Sequence, residues 1–286
     1  MDIAAFKAFI AAAENGSFSL AAERLFLTQP AISKRIAGLE ATLETRLFDR
    51  IGRRVELTDA GRALLPRARN ILVELEDSMR ALSNLNGKIQ GRLRFGTSHH
   101  IGLHRLPPAL KRFTRQHPQV RLDIRFMDSE AACHAVEQGE LELAIVTLPP
   151  EPLPNLAARE IWPDPLDIVA ANDHPLLRQP QLRIEDLAQH PVILPASNTY
   201  THQIAQQVFN QLDLKLDVAL STNYLETIKM LVSVGIGWSL LPHTMLDRQI
   251  RRLPLETLTL QRVLGVVHHR ERTLSNAATA LVDLLK

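Results

Sequence analysis

The segment that decides the N-terminal fold is residues 17–50, SFSLAAERLFLTQPAISKRIAGLEATLETRLFDR. Within it, Phe26-Leu27 forms a very short connection between two helix-like segments. Thr28 is a good N-cap for the second segment, and Pro30 stands in its first turn, where the missing N–H costs nothing. Four apolar residues then recur at helical spacing and predict one buried face: Ile32, Ile36, Leu39 and Leu43. This arrangement predicts two helices joined by a tight turn, which is a helix-turn-helix.

The preceding residues complete a small helical domain. An amphipathic pattern over residues 2–13 predicts a first helix. Asn15-Gly16 ends this helix, because both residues tolerate left-handed backbone angles. We predict that Ser19 caps the second helix, which covers residues 20–25.

The outer face of the third helix carries groups that suit DNA. A recognition helix enters the major groove with its N-terminal turns first, so these turns must hold base-reading and phosphate-neutralising side chains. The predicted DNA-binding residues on this helix are Thr28, Gln29, Pro30, Ser33, Lys34 and Arg35. A small helical bundle with a merely charged surface would show the same residues, so this pattern alone leaves both interpretations open.

A basic hairpin is predicted after the third helix. Residues 47–58, LFDRIGRRVELT, alternate apolar and polar positions around Gly52 and indicate two short β-strands. Arg50, Arg53 and Arg54 lie at the predicted tip. An arginine-tipped hairpin beside a recognition helix is a wing that can reach a minor groove. We therefore predict a winged helix-turn-helix over residues 1–58.

Residues 17–50 and residues 55–68, VELTDAGRALLPRA, closely resemble the N-terminal domain of the LysR-type transcriptional regulators. The QPAIS core, the LE pair, the LF-R stretch and the LT-AG motif all fit that family. The resemblance implies a winged helix-turn-helix that binds pseudo-palindromic DNA as a dimer within a tetramer. It also implies major-groove contacts for Gln29, Pro30, Ser33 and Lys34, phosphate contacts for Thr28 and Arg35, and a minor-groove contact for Arg53.

The net charge of the whole chain conceals this basic segment. The 286 residues carry a formal net charge of +2, which on its own argues weakly for a polyanionic partner. Residues 24–54, however, hold seven basic and three acidic residues, whereas residues 91–286 hold 20 of each. The positive charge is therefore concentrated in the predicted DNA-binding domain.

Composition excludes several classes of protein. A hydrophobic fraction of 45% beside 22% charged residues is typical of a globular chain and argues against a disordered or fibrous one. The single cysteine, Cys133, excludes an intrachain disulfide and a four-cysteine zinc site. We expect a cytoplasmic protein that does not contact a membrane, since neither a signal peptide nor a transmembrane stretch is apparent.

A long helix is predicted from Thr58-Asp59 to about residue 86. Its seam residues alternate spacings of four and three: Leu64, Ala68, Ile71, Leu75, Ser78, Leu82 and Leu85. Packing on the chain's own first domain is the alternative, but so long a helix would project beyond that domain. We predict dimerisation along this seam, with Pro66 weakening the second turn. Residues 59–90 are then the linker helix and hinge.

Residues 91–286 alternate strand-like and helical segments. The order β-α-β-α-β up to residue 149 predicts a parallel sheet with helices on its faces, and a second such run begins near Ile161. The pattern resembles the two-lobed periplasmic-binding-protein fold, which is also the effector domain of the family. We predict lobe I at about residues 91–160 plus 267–286 and lobe II at about residues 161–266. The predicted fold class is α/β, with the winged domain and the linker helix preceding this two-lobed effector domain.

Polar residues gather at the ends of the predicted strands. Such sheets bind ligands at the carboxyl ends of their strands, and helix N-termini there offer free N–H groups to an anion. We predict a cleft between the lobes that binds a small anionic metabolite. Its candidate residues are Thr97, Ser98, His99, His100, Thr147, Asn198, Thr199, Tyr200, Thr222, Asn223 and Trp238. Any one of the serines or threonines, taken alone, fits a plain helix cap equally well.

Three histidines, His99, His100 and His104, lie close together in sequence. Their spacing would allow two imidazoles on one helical face, as metal sites require, but no acidic or cysteine ligand is near them in sequence. We interpret the His99-His100 pair as loop residues that contact solvent or an anion, and we predict no metal and no cofactor. Cys133 is expected to be a small buried residue.

These features predict a sequence-specific DNA-binding regulator controlled by a small-molecule effector. Its predicted partners are an AT-rich promoter dyad, the effector and further copies of the chain, with RNA polymerase as another candidate. A solute-binding protein whose N-terminal region only oligomerises is the first alternative, and the basic wing argues against it. An enzyme in the two-lobed region is the second, but no nucleophile paired with a general base is visible.

Overall fold

The computed structural model describes residues 2–51, 54–255 and 260–285, with the backbone alone at Arg50, Ile51 and Arg54. The chain divides into two compact units, Met1–Asn86 and Gly87–Lys286. The first unit contains the predicted winged domain and the linker helix, and the second contains the predicted effector region. In the described ranges, no helix is long and apolar enough to span a membrane.

Three helices form the core of the first unit. They are α1 (Ile3–Asn15), α2 (Phe18–Leu25) and α3 (Gln29–Thr42). α1 ends at Gly16, whose φ of 58° lies in the left-handed region. The prediction that Ser19 caps α2 is wrong: the cap is Ser17, whose hydroxyl accepts the Leu20 N–H. The helix starts earlier than expected because Phe18 is already helical and buried.

A hairpin and a long helix complete the first unit. β1 (Phe48–Ile51) pairs antiparallel with β2 (Arg54–Leu57), and α4 spans Asp59–Asn84. Thr58 caps α4 by accepting the Gly61 N–H, as the sequence predicts. Gly61 is needed because a Cβ there would collide with the carbonyl oxygen of Leu47. The described residues thus form the predicted helix-turn-helix, hairpin and linker helix.

α4 buries little of its surface within its own unit. Only Gly61 and Ala68 of this helix are buried, and Pro66 lies inside it. Farther along the predicted seam, Leu82 is 67% exposed and Leu85, the residue after the helix, is 82% exposed. The second half of the seam therefore offers an apolar surface to another molecule.

Within the described part of the second unit, nine strands form one mixed sheet. They are β3 (Gly91–Thr97), β4 (Val120–Phe126), β5 (Leu143–Thr147), β6 (Leu156–Ala171), β7 (Val192–Leu194), β8 (Val218–Ser221), β9 (Trp238–Pro242), β10 (Ile250–Arg252) and β11 (Leu260–His269). Their order is β4-β3-β5-β11-β6-β9-β7-β8, and β10 pairs with β6. The parallel pairing predicted up to residue 149 is confirmed for β3, β4 and β5, and β7 is parallel to β8 and β9, whereas β6 and β11 run antiparallel to their neighbours. The chain crosses between the lobes once in each direction along these two adjacent strands, which must therefore point in opposite directions.

Helices cover both faces of this sheet. They are α5 (His99–His104), α6 (Pro107–Gln116), α7 (Ser129–Glu137), α8 (Ile184–Leu187), α9 (Tyr200–Gln211), α10 (Leu225–Ser233) and α11 (Asn276–Asp283). In lobe I, α6 and α11 pack on one face and α7 on the other. In lobe II, α9 and α10 pack on opposite faces. The lobe boundaries predicted near residues 160 and 267 fall inside the crossover strands β6 and β11.

Candidate nucleic-acid interface and effector cleft

The outer face of α3 carries the side chains predicted to contact DNA. Thr28, Gln29, Pro30 and Lys34 are exposed, whereas Ser33 and Arg35 are half-buried. The Gln29 side-chain amide donates to the Ser33 hydroxyl at 3.0 Å. Thr28 is the N-cap of α3, but its hydroxyl makes no capping hydrogen bond. These groups occupy the first two turns, the part of a recognition helix that meets base edges and phosphates.

The inner face of α3 fixes which side chains point outward. Ile32, Ile36 and Leu39 are almost completely buried in a core shared with Phe9 and Phe18. A helix held by such a stripe cannot rotate without exposing it, so the polar face is set by packing. The buried stripe predicted from the sequence is confirmed at these three residues, and the fourth, Leu43, is half-buried.

Glu40 connects α3 to the hairpin. One of its carboxylate oxygens accepts the N–H groups of Leu47 at 2.7 Å and Phe48 at 3.3 Å. The Phe48 ring packs against Phe9 and Phe18, with centroids 5.4 and 5.5 Å apart. The base of the wing is therefore tied to the recognition helix. Sequence reasoning noted the LE pair that contains Glu40 but gave the residue no role.

The wing arginines lie partly outside the described residues. Arg50 belongs to β1 and pairs with Val55, while Arg54 begins β2. Their side chains and the whole of Arg53 fall outside the part of the chain that is described. The DNA contacts predicted for these three arginines therefore stay predictions.

In the second unit, a narrow cleft lies between the two lobes. Six of the predicted residues line it: Ser98, His99, His100, Thr147, Thr199 and Asn223. Seven further lining residues were not predicted: Asp128, Ser129, Glu130, Pro195, Thr201, Leu225 and Arg262. Lobe I contributes the starts of α5 and α7, and lobe II contributes the starts of α9 and α10. The cleft thus lies at helix N-termini, as expected for this kind of sheet.

Two predicted cleft residues belong to the hydrophobic core instead. Thr97 is buried, and its hydroxyl donates to the carbonyl of Ile145 at 2.8 Å inside the sheet. Trp238 stacks on Phe209 in the core of lobe II, and its indole N–H donates to the Leu187 carbonyl. Trp238 was predicted as a wall residue of the cleft, but β9 is buried along its whole length.

Three more predicted residues do not line the cleft with their side chains. Asn198 is exposed and Thr222 is half-buried. The ring of Tyr200 packs into a cluster of lobe I that contains Cys133, and burial raises the pKa of this phenol. Cys133 itself is buried, as predicted, and burial raises the pKa of its thiol to about 11.

Hydrogen bonds between the lobes hold the cleft closed. The Asn223 amide donates to a carboxylate oxygen of Asp128 at 2.7 Å. A carboxylate oxygen of Glu130, in α7, accepts the backbone N–H of Tyr200 at 2.5 Å. Because Tyr200 is the first residue of α9, Glu130 occupies an N–H that this helix start would otherwise offer to an anion. Burial raises the pKa of Glu130, although the hydrogen bond opposes the shift.

A buried ion-pair network adjoins the cleft. The Arg262 guanidinium donates to Asp164 at 2.8 Å and to the Thr201 hydroxyl at 3.0 Å. Arg105 donates to the other oxygen of Asp164 at 3.0 Å. Two guanidinium groups therefore share one carboxylate, which leaves one net positive charge at the cleft wall. The sequence signal for Arg262 was a lone charge within the apolar run of β11.

The predicted histidines lie in the helix α5 and not in a loop. His100 is 4% exposed, and neither of its ring nitrogens has a hydrogen-bond partner in the described residues. Its ring centroid lies 4.8 Å from that of His104. His104 Nε2 is 3.1 Å from a carboxylate oxygen of Glu226, at the start of α10. Burial, assisted by Arg262, lowers the pKa of His100 to about 4, so the ring is neutral at neutral pH.

Comparison with known families decides the identity. Residues 3–62 match the family described as bacterial regulatory helix-turn-helix protein, lysR family, and residues 86–286 match the LysR substrate binding domain. The chain is a member of the LysR family. This LysR-type protein is a DNA-binding transcriptional regulator with an effector-binding domain, and the prediction that it is not an enzyme is confirmed by its relatives, which are regulators.

Two curated relatives illustrate the similarity. The LysR-type chain is 70% identical over 108 residues to an uncharacterized HTH-type transcriptional regulator in the ibpB-leuC intergenic region of Azotobacter vinelandii, covering 38% of the chain and 75% of the relative. It is 29% identical over 285 residues to the HTH-type transcriptional activator CmpR of a Synechocystis strain, covering 98% of the chain and 93% of CmpR.

Solved structures share the fold. A full-length single-residue variant of OxyR from Pseudomonas aeruginosa matches with a TM-score of 0.70 at 22% identity, covering 100% of this chain and 97% of OxyR. Full-length CbnR in complex with its target DNA matches with a TM-score of 0.66 at 20% identity, covering 100% and 99%. The effector binding domain of QuiR in complex with shikimate matches with a TM-score of 0.62 at 18% identity, covering 68% and 95%.

Proposed function

We propose that this regulator reads an AT-rich promoter dyad with α3 and the hairpin, as a dimer joined along α4 within a tetramer in the cytoplasm. The observation that carries the proposal is the polar outer face of α3, which the buried residues Ile32, Ile36 and Leu39 of the inner face hold in one orientation. The related fold of CbnR, which was solved with its target DNA, supports the assignment. RNA polymerase at the same promoter is the further partner that we propose.

The residues of α3 divide into base-reading and phosphate-binding groups. The Gln29 amide can bond the N6/N7 edge of adenine, and Ser33 orders that amide. Lys34 is exposed beside them and supplies a positive charge for a phosphate. Arg50, Arg53 and Arg54 on the wing are proposed to enter the adjacent minor groove.

A pair of substitutions tests this division. Lys34→Ala should weaken binding to all DNA sequences and reduce the slope of log affinity against log salt concentration by about 1. Gln29→Ala should instead relax specificity, with a loss of about 1–3 kcal/mol confined to the preferred dyad. Lys7→Ala removes an exposed lysine of α1 and serves as the charge-matched control. Footprinting of genomic fragments that shows no protected site for the unmodified protein would refute the proposal.

The dimer proposal rests on the exposed half of the α4 seam. Leu82→Glu should dissociate the dimer, because it places a charge on an apolar seam that the partner would bury. Ala81→Glu introduces the same charge at the neighbouring exposed position, off the seam, and should leave the mass unchanged. Analytical ultracentrifugation measures the molecular mass of both variants in solution. Equal masses for the two variants would contradict dimerisation along this seam.

We further propose that a small anionic metabolite binds in the cleft and displaces Glu130 from the start of α9. Arg262 and the second guanidinium on Asp164 provide an excess positive charge, and the Tyr200 N–H provides a donor. The proposed effector residues are Ser98, His99, His100, Thr147, Thr199, Thr201, Asn223 and Arg262. QuiR, whose effector domain has the same fold, was solved with shikimate, itself a carboxylate.

A thermal-shift screen of small carboxylates and aromatic acids against the full chain tests the effector. Ser98 lines the cleft and caps α5, so Ser98→Ala should abolish a shift caused by a cleft ligand. Ser275→Ala removes a comparable N-cap from α11, away from the cleft, and should retain the shift. A hit that both variants retain in full would place the ligand outside this cleft.

A further inference from the structure

We propose that His100, His104 and Glu226 form a binding site for Zn²⁺ or a chemically similar divalent transition metal, which links lobe I to lobe II. One ligand atom from each of these three residues lies within 4.8 Å of the others. His100 and His104 belong to α5 in lobe I, and Glu226 belongs to α10 in lobe II. Sequence reasoning predicted no metal here, because the carboxylate is 122 residues away from His104.

The ligand set suits such an ion. Two histidines four residues apart lie on the same face of a helix, which is the usual way for a helix to supply two imidazoles. Two imidazoles with one carboxylate form a common site for zinc and neighbouring metals. Because zinc–ligand bonds are about 2.0–2.2 Å long, small side-chain rotations must bring the His100 ring closer to His104 and Glu226.

The buried side chain of His100 provides an independent observation. A ring that is almost completely buried should have hydrogen-bond partners, and both nitrogens of His100 lack them among the described residues. A metal bond to one nitrogen would satisfy that atom.

The surrounding charges permit a dication. Arg262, Arg105 and their shared partner Asp164 leave one positive charge near His100, and the Glu226 carboxylate, itself a proposed ligand, offsets that charge. The side chains of His104 and Glu226 are 43% and 42% exposed, so solvent can supply the remaining ligand and the ion can enter. A metal held there would stabilise the closed arrangement of the lobes, because it binds both of them.

Metal titration of the full chain tests this inference. The protein is stripped with EDTA, dialysed and titrated with ZnCl₂ in competition with a chelating dye. We expect one high-affinity ion per chain, a higher melting temperature, and an affinity at least about 10- to 100-fold lower in His104→Gln and in Glu226→Gln. Both residues are half-exposed, so circular dichroism of the metal-free variants should match that of the unmodified chain.

Two control variants separate this site from other histidines. His190→Gln removes one member of the His174–His190 ring pair in lobe II, and His134→Gln removes an exposed histidine beside Glu137. Both should retain the unmodified affinity. An affinity that is unchanged in His104→Gln and Glu226→Gln, or that falls only in His190→Gln, would overturn the assignment. CoCl₂ provides a second measurement, because its visible absorption bands should appear with the unmodified chain and disappear in Glu226→Gln.

Discussion

The outer face of α3 and the cleft between the lobes differ in whether their charged side chains are exposed or buried in ion pairs. Lys34 on α3 is exposed and forms no salt bridge with another described residue. Arg262 in the cleft is 6% exposed and bonds both Asp164 and Thr201. A surface that meets a polyanion can leave its cations solvated, since DNA supplies the counter-charge and releases its own counterions on binding. A buried cleft cannot leave a cation without a partner, because an unpaired charge there would destabilise the fold.

This difference predicts where mutations will act. Charge removal on α3 should change the affinity for DNA and its salt dependence, with little effect on the free energy of unfolding. Charge removal in the cleft should change the free energy of unfolding before any effector is added. The cleft is also closed by its own groups, so an effector has to exchange with internal hydrogen bonds.

The largest expected effect on stability comes from a substitution that breaks the ion pairs of the cleft. Arg262→Ala leaves Asp164, which is fully buried, with Arg105 as its remaining cation partner among the described residues, and should lower the free energy of unfolding by about 3–5 kcal/mol. Trp162 and Trp238, the two tryptophans of the chain, lie in the second unit. Urea unfolding followed by tryptophan fluorescence therefore measures this unit selectively.

Arg105→Ala is the matched control for this measurement. It removes the more exposed guanidinium and keeps the shorter Arg262–Asp164 pair. The free energy of unfolding should therefore fall clearly less than in Arg262→Ala. Equal losses in the two variants would mean that burial does not distinguish the two arginines, and the contrast with α3 would then fail.

The same contrast explains what the sequence could predict. α3 is defined by local signals: Thr28 at the N-cap position, Pro30 in the first turn, and an apolar stripe of which Ile32, Ile36 and Leu39 are buried. The Thr28 hydroxyl itself makes no capping hydrogen bond. The cleft is assembled from residues far apart in the chain, and Arg262 and Asp164 are 98 residues apart. A serine or threonine at a helix start shows which end of a strand is polar. It does not show which residue from the other lobe lies opposite that end.

The errors in the prediction have specific causes. Ser19 was predicted as the cap of α2, whereas Ser17 caps the helix, because the buried Phe18 already belongs to its first turn. Trp238 was placed in the cleft, whereas β9 is buried on both faces, a property that depends on tertiary packing and not on local sequence. Glu226 was missed as a neighbour of His104 because the contact joins two lobes.

The second prediction concerns the attachment of the wing. Glu40→Ala removes a carboxylate that accepts two backbone N–H groups and should lower the stability of the first unit by about 2 kcal/mol. This unit has no tryptophan or tyrosine, so the loss should appear as a far-UV circular dichroism change without a fluorescence change. Glu23→Ala, at an exposed position of α2, is the control and should leave the transition in place. Retained stability in Glu40→Ala would show that aromatic packing alone holds the wing.

The third prediction concerns Phe26, in the turn between α2 and α3. This residue is 95% exposed and has a left-handed backbone with φ of 54°, which is unfavourable for a bulky residue. Phe26→Gly should raise the stability of the first unit by about 1 kcal/mol. Phe26→Ala keeps the backbone penalty while removing the ring, so it should show no such gain. A gain of equal size in both variants would assign the effect to the exposed ring instead of the backbone.

The smallest expected effect is a change in pH dependence at Glu130. Burial raises the pKa of this carboxyl in the folded state, so its contribution to stability is present below the ordinary glutamate pKa and is lost as pH rises through the folded value. Glu130→Gln removes this loss, and its stability relative to the unmodified chain should therefore increase from about pH 4 towards neutral pH. Glu151→Gln makes the same charge change at an exposed position of the same unit and should show no comparable trend. Urea unfolding monitored by tryptophan fluorescence measures the stability of all three proteins at each pH. Parallel pH profiles would mean that closing the cleft places no strain on the Glu130 carboxylate. The cleft would then tolerate a free charge as readily as α3 does.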